Sequence, residues 1–280
     1  MTDKKRTTLT EKIINLDAKV IYGSVFIILI ASSLFPLGLP LLISEPTKQM
    51  YNVIDNLEEG DVFWFGFDIV YVCWAEMQAP LTAVLQHAFQ KEGIKLVITS
   101  AFADGPVIFE TLMKTIDTYG KVYGEDWVYL GYQPGGEMLI EGIARDTHST
   151  YPTDDYGTPL SELPMMDDIH SAEDFALVFR STLGPQFYWY IRQVVAPYGT
   201  PFITASVGYF FSEIMPFYSS GQLTAYIVGL RGGAEYEKLI GVSGVGARGA
   251  DAMSLIYIIL IGVVAVINIL EWKDRFTGGK

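Results

Sequence analysis

The sequence contains a single cysteine, Cys73, among its 280 residues. One cysteine excludes an intramolecular disulfide, and a domain of this size buries enough apolar surface to fold without one. Cys73 follows an apolar stretch in the segment YVCW. We therefore interpret it as a core residue rather than a nucleophile.

The common catalytic and cofactor motifs are also missing. The sequence has no G-x-S-x-G, no H-E-x-x-H and no glycine loop ending in Lys-Ser/Thr. GVGARG (Gly244–Gly249) matches G-x-G-x-x-G, but a dinucleotide motif needs a crossover helix after it, and here an apolar, membrane-like segment follows. We interpret GVGARG as a linker and predict no organic cofactor.

Basic residues are scarce, with 19 Lys and Arg against 32 Asp and Glu and a net charge of −13. Binding to nucleic acid requires Lys and Arg that neutralise phosphates. We therefore expect no nucleic-acid partner.

Charged residues are absent from two long stretches, Val20–Ser44 and Ala252–Leu270. About 20 apolar residues span a bilayer as a helix, so the sequence predicts transmembrane helices at 20–44 and 251–270. The prolines of FPLGLPLL (Phe35–Leu42) are expected to kink or fray the outer end of the first.

The short tails, 1–19 and 271–280, carry many of the basic residues. Loops and tails rich in Lys and Arg remain in the cytoplasm. We expect a two-span protein of the cell membrane, with both termini cytoplasmic and residues 45–250 extracytoplasmic. The basic residues of the tails are Lys4, Lys5, Arg6, Lys12, Lys19, Lys273, Arg275 and Lys280.

The central region alternates strand-like and helix-like segments. Helical spacing is clear at Leu81, Val84, Leu85, Ala88 and Phe89, and His87 lies opposite this stripe, which predicts a surface position. Such alternation indicates an α/β, Rossmann-like three-layer domain with a mostly parallel sheet. The predicted strands are 61–70, 94–99, 127–132, 175–179, 201–207 and 223–230.

Two double glycines follow predicted strands and precede predicted helices. Ligands of open α/β sheets bind at the carboxyl ends of strands, where glycine and a helix N-terminus favour close approach. Alternatively, the glycines supply positive φ angles and the acids complement helix dipoles. The candidate residues at this edge are Gly135, Gly136, Glu137, Arg231, Gly232, Gly233 and Glu235.

The segment 146–173 is acidic and contains no Lys or Arg. Long loops of this kind are often functional, and its oxygen and imidazole groups make a divalent cation the one cofactor to consider. The alternative is a solvated excursion that packs on a neighbouring subunit through LPMM (Leu163–Met166). The candidate ligands are Asp146, His148, Asp154, Asp155, Asp167, Asp168 and His170.

TPFITASVGYFFS (Thr200–Ser212), together with the turn Pro134-Gly135-Gly136, resembles membrane-anchored signal-peptide peptidases of the crotonase-like fold. The resemblance implies Ser206 as a nucleophile near that turn. The sequence departs from the family pattern at Tyr209, Phe210 and Phe211, where the family has a small-residue helix, and no basic partner is evident.

SLFPLGLPLLIS (Ser33–Ser44) and SSGQLTAYIVGLRGGAEYEKL (Ser219–Leu239) resemble a group of prokaryotic two-span membrane proteins with no assigned activity. The resemblance implies the order span, α/β domain, span. It carries no catalytic residue to this chain.

Aromatic residues make up 14% of the chain, and Tyr and Trp are favoured at interfaces. Our leading hypothesis is a non-enzymatic subunit of a larger homo- or hetero-oligomeric membrane assembly, with the lipid bilayer as a further partner. The alternatives are a membrane-bound serine hydrolase and a sensor of a small ligand or cation.

Overall fold

The structure is a computed structural model that describes residues 17–34 and 38–277. The chain divides into two compact units, one of Met1–Pro40 with Arg248–Lys280 and one of Leu41–Ala247. The predicted cytoplasmic tail up to residue 16, residues 35–37 of the predicted proline kink and residues 278–280 lie outside the described residues.

The larger unit is built on a six-stranded sheet in the order β3-β2-β1-β4-β5-β6, with every pair of neighbouring strands parallel. The prediction of an α/β fold with a parallel sheet is confirmed. The strands are β1 (Val62–Gly66), β2 (Lys95–Ser100), β3 (Trp127–Tyr132), β4 (Phe175–Thr182), β5 (Phe202–Ser206) and β6 (Ala225–Val228).

Helices connect these strands and cover the sheet. A π-helical turn (Ile191–Val195) separates the seventh helix from the eighth. The helices are α1 (Ala18–Leu34), α2 (Glu45–Asp55), α3 (Trp74–Gln90), α4 (Gly105–Met113), α5 (Glu137–Arg145), α6 (Thr147–Thr150), α7 (Phe187–Tyr190), α8 (Ala196–Tyr198), α9 (Phe211–Ser219), α10 (Gly229–Leu239) and α11 (Val245–Thr277).

The central strands are apolar on both faces, as strands of a covered parallel sheet must be. All five residues of β1 are buried. Phe65 of β1 stacks on Phe179 of β4 with ring centroids 4.4 Å apart, and Trp64 lies 5.0 Å from Phe175. The strand ends at Gly66 rather than at the predicted residue 70. Residues 67–70 have no regular structure and follow the carboxyl end of β1. We call the side of the sheet where the carboxyl ends of the strands lie the carboxyl edge.

The acidic segment 146–173 is folded onto its own domain. Met165 and Met166 are fully buried in the core of this chain, so the expected role of LPMM in contacting a neighbouring subunit is wrong. Asp154 is also buried, and its carboxylate accepts hydrogen bonds from the amides of Tyr156 and Thr158 and from the hydroxyl of Tyr123. Apolar burial and this carboxylate hold the segment in place.

One helical stretch, Val245–Ile269, has 25 residues and is long and apolar enough to cross a membrane. In the predicted first span, 20–44, the apolar helical part is shorter, Lys19–Ala31, and residues 38–44 are not helical. Pro40 lies within this non-helical stretch, and proline is unfavourable inside a helix. The amides of Gly38 and Leu39 instead donate to the carboxylate of Asp251.

The second double glycine lies inside α10, not in a turn before it. A Cβ on Gly233 would lie 2.5 Å from the nitrogen of Pro80, and one on Gly232 would lie 3.0 Å from Cβ of Ile227. The expectation of two equivalent strand-to-helix turns is therefore wrong. These glycines allow α10 to pack directly on α3 and on the strand before it.

Two buried glutamates of α10 hold the segments at which the chain enters and leaves the larger unit. Glu235 accepts hydrogen bonds from Ser44 N, Ser44 Oγ and Thr47 Oγ1 at 2.9, 2.7 and 2.9 Å, at the start of α2. Glu237 accepts from the amides of Gly244, Gly246 and Ala247 at 3.0, 2.9 and 2.8 Å. GVGARG thus contains the capped start of α11, and the boundary between the two compact units falls within it.

His87 is buried, contrary to the surface position that the helical spacing predicts. Its ring stacks on Tyr51 at 4.6 Å and hydrogen-bonds the hydroxyl of Tyr236 at 2.8 Å, because α2 and α10 cover that face of α3. Burial lowers the pKa of His87 to about 4, although the nearby carboxylate of Asp55 opposes the shift.

Gly233→Ala is predicted to lower the free energy of unfolding by about 1–3 kcal/mol, because the added methyl group would meet the backbone of α3. Urea titration of the detergent-solubilised chain measures this. Gly262→Ala is the matched control, since a Cβ there meets nothing within 4 Å, and an equal loss in both variants would contradict the packing role.

His87 is predicted to make stability depend on pH. Its folded-state pKa is depressed below the unfolded value of 6.5, so the unfolded chain binds the proton first and stability falls as pH drops from about 6.5 to about 4. The loss is about 3 kcal/mol. Urea titrations across this range should lose that slope in His87→Gln, and an unchanged slope would contradict the assignment.

Candidate functional site

The carboxyl ends of β1 and β4 mark the position where the strand order reverses. In open α/β sheets this topological switch point is where ligands bind. Here the residue pairing across it is Gly66 with Arg180. Asp68 follows β1, and its side chain is fully buried beside that pair. The switch point therefore contains a buried cation and a buried carboxylate.

Arg180 lies between two aromatic rings. Its guanidinium carbon is 4.1 Å from the ring centre of Trp64 and 4.4 Å from that of Tyr190. Nη1 donates to Thr99 Oγ1 at 3.0 Å and lies 3.9 Å from Asp68 Oδ2. These contacts stabilise a charge that is 1% exposed.

Gly66 makes the position of Arg180 possible. A Cβ on Gly66 would lie 1.5 Å from Nη1 of Arg180, which no side chain can tolerate. Glycine in a central strand weakens the strand and marks close approach by another group. The approaching group here is the guanidinium.

Asp68 compensates the charge of Arg180 and fixes neighbouring loops. It accepts a hydrogen bond from the hydroxyl of Tyr190 and another, at 2.9 Å, from the amide of Ala101. Burial raises the pKa of Tyr190 well above its usual value, so its hydroxyl remains a donor. Nε and Nη2 of Arg180 have no acceptor among the described residues.

Serine and glutamine side chains extend the same network along the edge. The amide of Asp68 donates to Ser181 Oγ at 2.8 Å, and Gln186 Nε2 reaches the carbonyl of Asp68 at 3.5 Å. Ser100 Oγ donates to the carbonyls of Phe67 and Phe102. The loops after β1, β2 and β4 are thus joined, and the protein's own side chains fill the switch point.

The first double glycine is a strand-to-helix turn, as predicted. Gly135 and Gly136 have φ angles of 152° and 58°, and α5 begins at Glu137. Glu137 accepts two hydrogen bonds from Arg192, at 2.8 and 2.6 Å, and one from Gln193 at 2.9 Å. These bonds lower the pKa of Glu137 to about 2 and tie α5 to the π-helical turn.

The two groups of edge candidates do not form one site. Gly135, Gly136 and Glu137 follow β3, whereas Arg231 and Glu235 follow β6, at the opposite edge of the sheet. Five strand spacings of about 4.8 Å separate those edges, or about 24 Å. Arg231 Nε donates to Glu235 at 3.1 Å, so this pair belongs to the cap of α2.

Ser206 lies at the end of β5 and is fully buried. Its hydroxyl donates to the carbonyl of Val207 at 3.0 Å, and among the described residues no histidine or lysine is hydrogen-bonded to it. The Pro134–Gly136 turn follows β3, four strand spacings or about 19 Å away. The geometry does not assemble the serine site that the peptidase resemblance implies.

The seven metal candidates of 146–173 do not converge. The rings of His148 and His170 are 5.1 Å apart, but His148 Nε2 bonds the carbonyl of Met166. Asp146 caps α6 through Ser149, and Asp167 and Asp168 are exposed. Within the ranges that the structure describes, no three His, Cys, Asp or Glu residues are arranged to hold a metal ion.

Sequence reasoning missed Arg180, Asp68 and Tyr190. The one signal in the sequence was an arginine within a predicted buried run, FALVFRS, since buried arginine must be paired. It also missed a groove of about 330 Å³ beside β3. This groove is lined by Phe109, Glu110, Met113, Lys114, Trp127 and Tyr156.

Comparisons with known proteins give no relative to guide the assignment. No protein-family model matches this chain, and no curated protein matches it.

Arg180→Met is predicted to destabilise the protein by about 3–5 kcal/mol, because it leaves the buried carboxylate of Asp68 without its cation. The double variant Asp68→Asn/Arg180→Met should lose less than the sum of the single losses. Urea titration measures the three variants.

Arg192→Met is the matched control, because Arg192 forms an exposed pair with Glu137. An exposed pair contributes about 0–1 kcal/mol. Similar losses for Arg180→Met and Arg192→Met would show that the switch-point cluster does not have the stabilising role described.

Proposed function

We propose that this protein is a membrane-anchored docking subunit of a larger membrane assembly and meets its partner through the carboxyl edge of the sheet. The observation that carries this proposal is a set of exposed apolar side chains on the segments that follow the strands. Its members are Tyr71, Val72, Val107, Met138, Tyr209 and Phe211.

The exposure of these side chains is large. Val72 is 86% exposed, Met138 79% and Tyr209 69%. They follow β1, β3 and β5, and the carboxyl ends of parallel strands lie at one edge of the sheet. Exposed apolar side chains along one edge of a sheet would suit a contact with another protein.

The network beneath this edge supports docking. Asp104 accepts a hydrogen bond from the amide of Tyr71 at 2.7 Å, and Glu76 accepts one from the amide of Gly208, also at 2.7 Å. Tyr209 donates to the carbonyl of Leu183. Loops that are ordered before binding lose less entropy when a partner arrives, so this surface is prepared for a rigid contact.

A protein partner fits this edge better than a small ligand. The buried side chains of Arg180, Tyr190 and Gln186 lie at the switch point. The six exposed apolar side chains named above, here called the apolar rim, are therefore the surface that can contribute apolar contacts. We infer that the partner is another membrane-bound subunit, a second copy or a different chain. Confinement in one bilayer raises the effective concentration of the two partners, so a modest patch is sufficient.

The anchor follows from the sequence pattern and the apolar stretch Val245–Ile269. We propose that both predicted spans cross the cell membrane, with the termini in the cytoplasm and residues 45–250 outside, as the basic tails favour.

Val72→Glu is predicted to dissociate the assembly, because it places a charge in the apolar contact, and to weaken association at least tenfold. Native gels of the full chain in maltoside micelles measure association. A urea titration of the same sample measures the free energy of unfolding. Folding should be unchanged, since Val72 is exposed.

Val122→Glu is the matched control. Val122 is 48% exposed and precedes β3, at the other end of the sheet. It should leave the assembly intact. A monomeric parent protein, or equal behaviour of the two variants, would contradict docking at the carboxyl edge.

A further inference from the structure

The groove beside β3 is separate from the carboxyl-edge network and has its own chemistry. Residues of α4 form one wall, Tyr156 the other, and Trp127 contributes to the lining. Its volume is about 330 Å³, within the range of small-ligand sites. Nothing in the proposed docking role uses these residues.

Aromatic rings define the shape of the groove. Tyr123 packs edge-on against both Trp127 and Tyr156, with ring centroids 4.8 and 5.3 Å away and interplanar angles of 87° and 73°. Phe109 is fixed by stacking on Tyr129 at 3.8 Å. The groove thus has ring surfaces held by their neighbours, and the faces of such rings attract cations.

Negative charge surrounds the same rings. Glu110 lines the groove, and Asp154 and Asp155 adjoin Tyr156 in the chain. Burial raises the pKa of Asp155, and the nearby carboxylates of Asp154 and Glu110 raise it further. Among the described residues, the carboxylates of Glu110 and Asp155 have no hydrogen-bond or ion-pair partner, and Lys114 is the one basic residue of the lining.

A metal ion fits this groove poorly, because metal ions need several oxygen ligands at about 2.0–2.6 Å and the lining is largely aromatic. An alkylated ammonium ion fits it well, since its methyl groups pack on rings and its charge is attracted by carboxylates.

We propose that the groove formed by Phe109, Glu110, Trp127 and Tyr156 binds an alkylated organic ammonium ion, such as the trimethylammonium group of choline. The ring faces attract the charged group, and the carboxylate of Glu110 compensates its charge. Such a headgroup occurs both as a free cation and on a lipid.

Isothermal titration of the full chain in maltoside micelles tests the proposal with choline and with 3,3-dimethyl-1-butanol, its neutral isostere. Choline should bind and the isostere should bind at least tenfold more weakly, because only choline has the charge. No binding of choline, or equal binding of the two compounds, would overturn the proposal.

Two variants locate the site. Glu110→Gln keeps the shape of the side chain and should weaken choline binding about tenfold, whereas Glu173→Gln makes the same charge change at an exposed position before β4 and should leave binding unchanged. Equal effects of the two variants would contradict a site at this groove.

Glycerophosphocholine distinguishes the two sources of the cation. Weaker binding than choline assigns the groove to a free cation, because Glu110 and Asp155 repel the added phosphate. Tighter binding assigns it to a lipid headgroup whose phosphate pairs with Lys114. Both results support an ammonium site, while binding of glycerophosphocholine that Glu110→Gln leaves unchanged contradicts it.

Discussion

The buried pair of Arg180 and Asp68 is the interaction on which the carboxyl edge depends. A charge that is 1% exposed is tolerated only with compensation, and each compensating group comes from a different part of the fold. Trp64 and Thr99 lie on neighbouring strands, Tyr190 on the helix that follows β4, and Gly66 leaves the space. The pair therefore fixes the relative positions of β1, β2, β4 and α7.

The rest of the domain follows the same rule, that buried carboxylates hold chain segments. Glu235 and Glu237 cap the segments that enter and leave the larger unit, and Asp154 holds the acidic excursion. Many carboxylates that composition alone would assign to cations or solvent are thus occupied by backbone amides and hydroxyls. We therefore propose recognition at the exposed apolar side chains of the carboxyl edge and at the aromatic groove beside β3.

The fold could be predicted because its signals are local. Apolar runs indicated all six strands, and helical spacing indicated helices. The alternation of the two implied a parallel sheet. The sites depended on long-range contacts: Gly232 and Gly233 precede no turn but face α3 and β6, and His87 is buried because α2 and α10 cover it. No spacing along the chain could have placed Arg180 over Gly66, which is 114 residues earlier in sequence, or separated β3 from β6 by four strands.

We propose that the exposed apolar side chains at the carboxyl edge contact another protein in the membrane. A photo-activatable amino acid at position 72, introduced into the full chain and irradiated in intact membranes, tests this most directly. We expect a protein adduct of one discrete mass from position 72 and none from position 122, which lies before β3 at the opposite end of the sheet. Adducts with lipid alone, or equal adducts from the two positions, would contradict it.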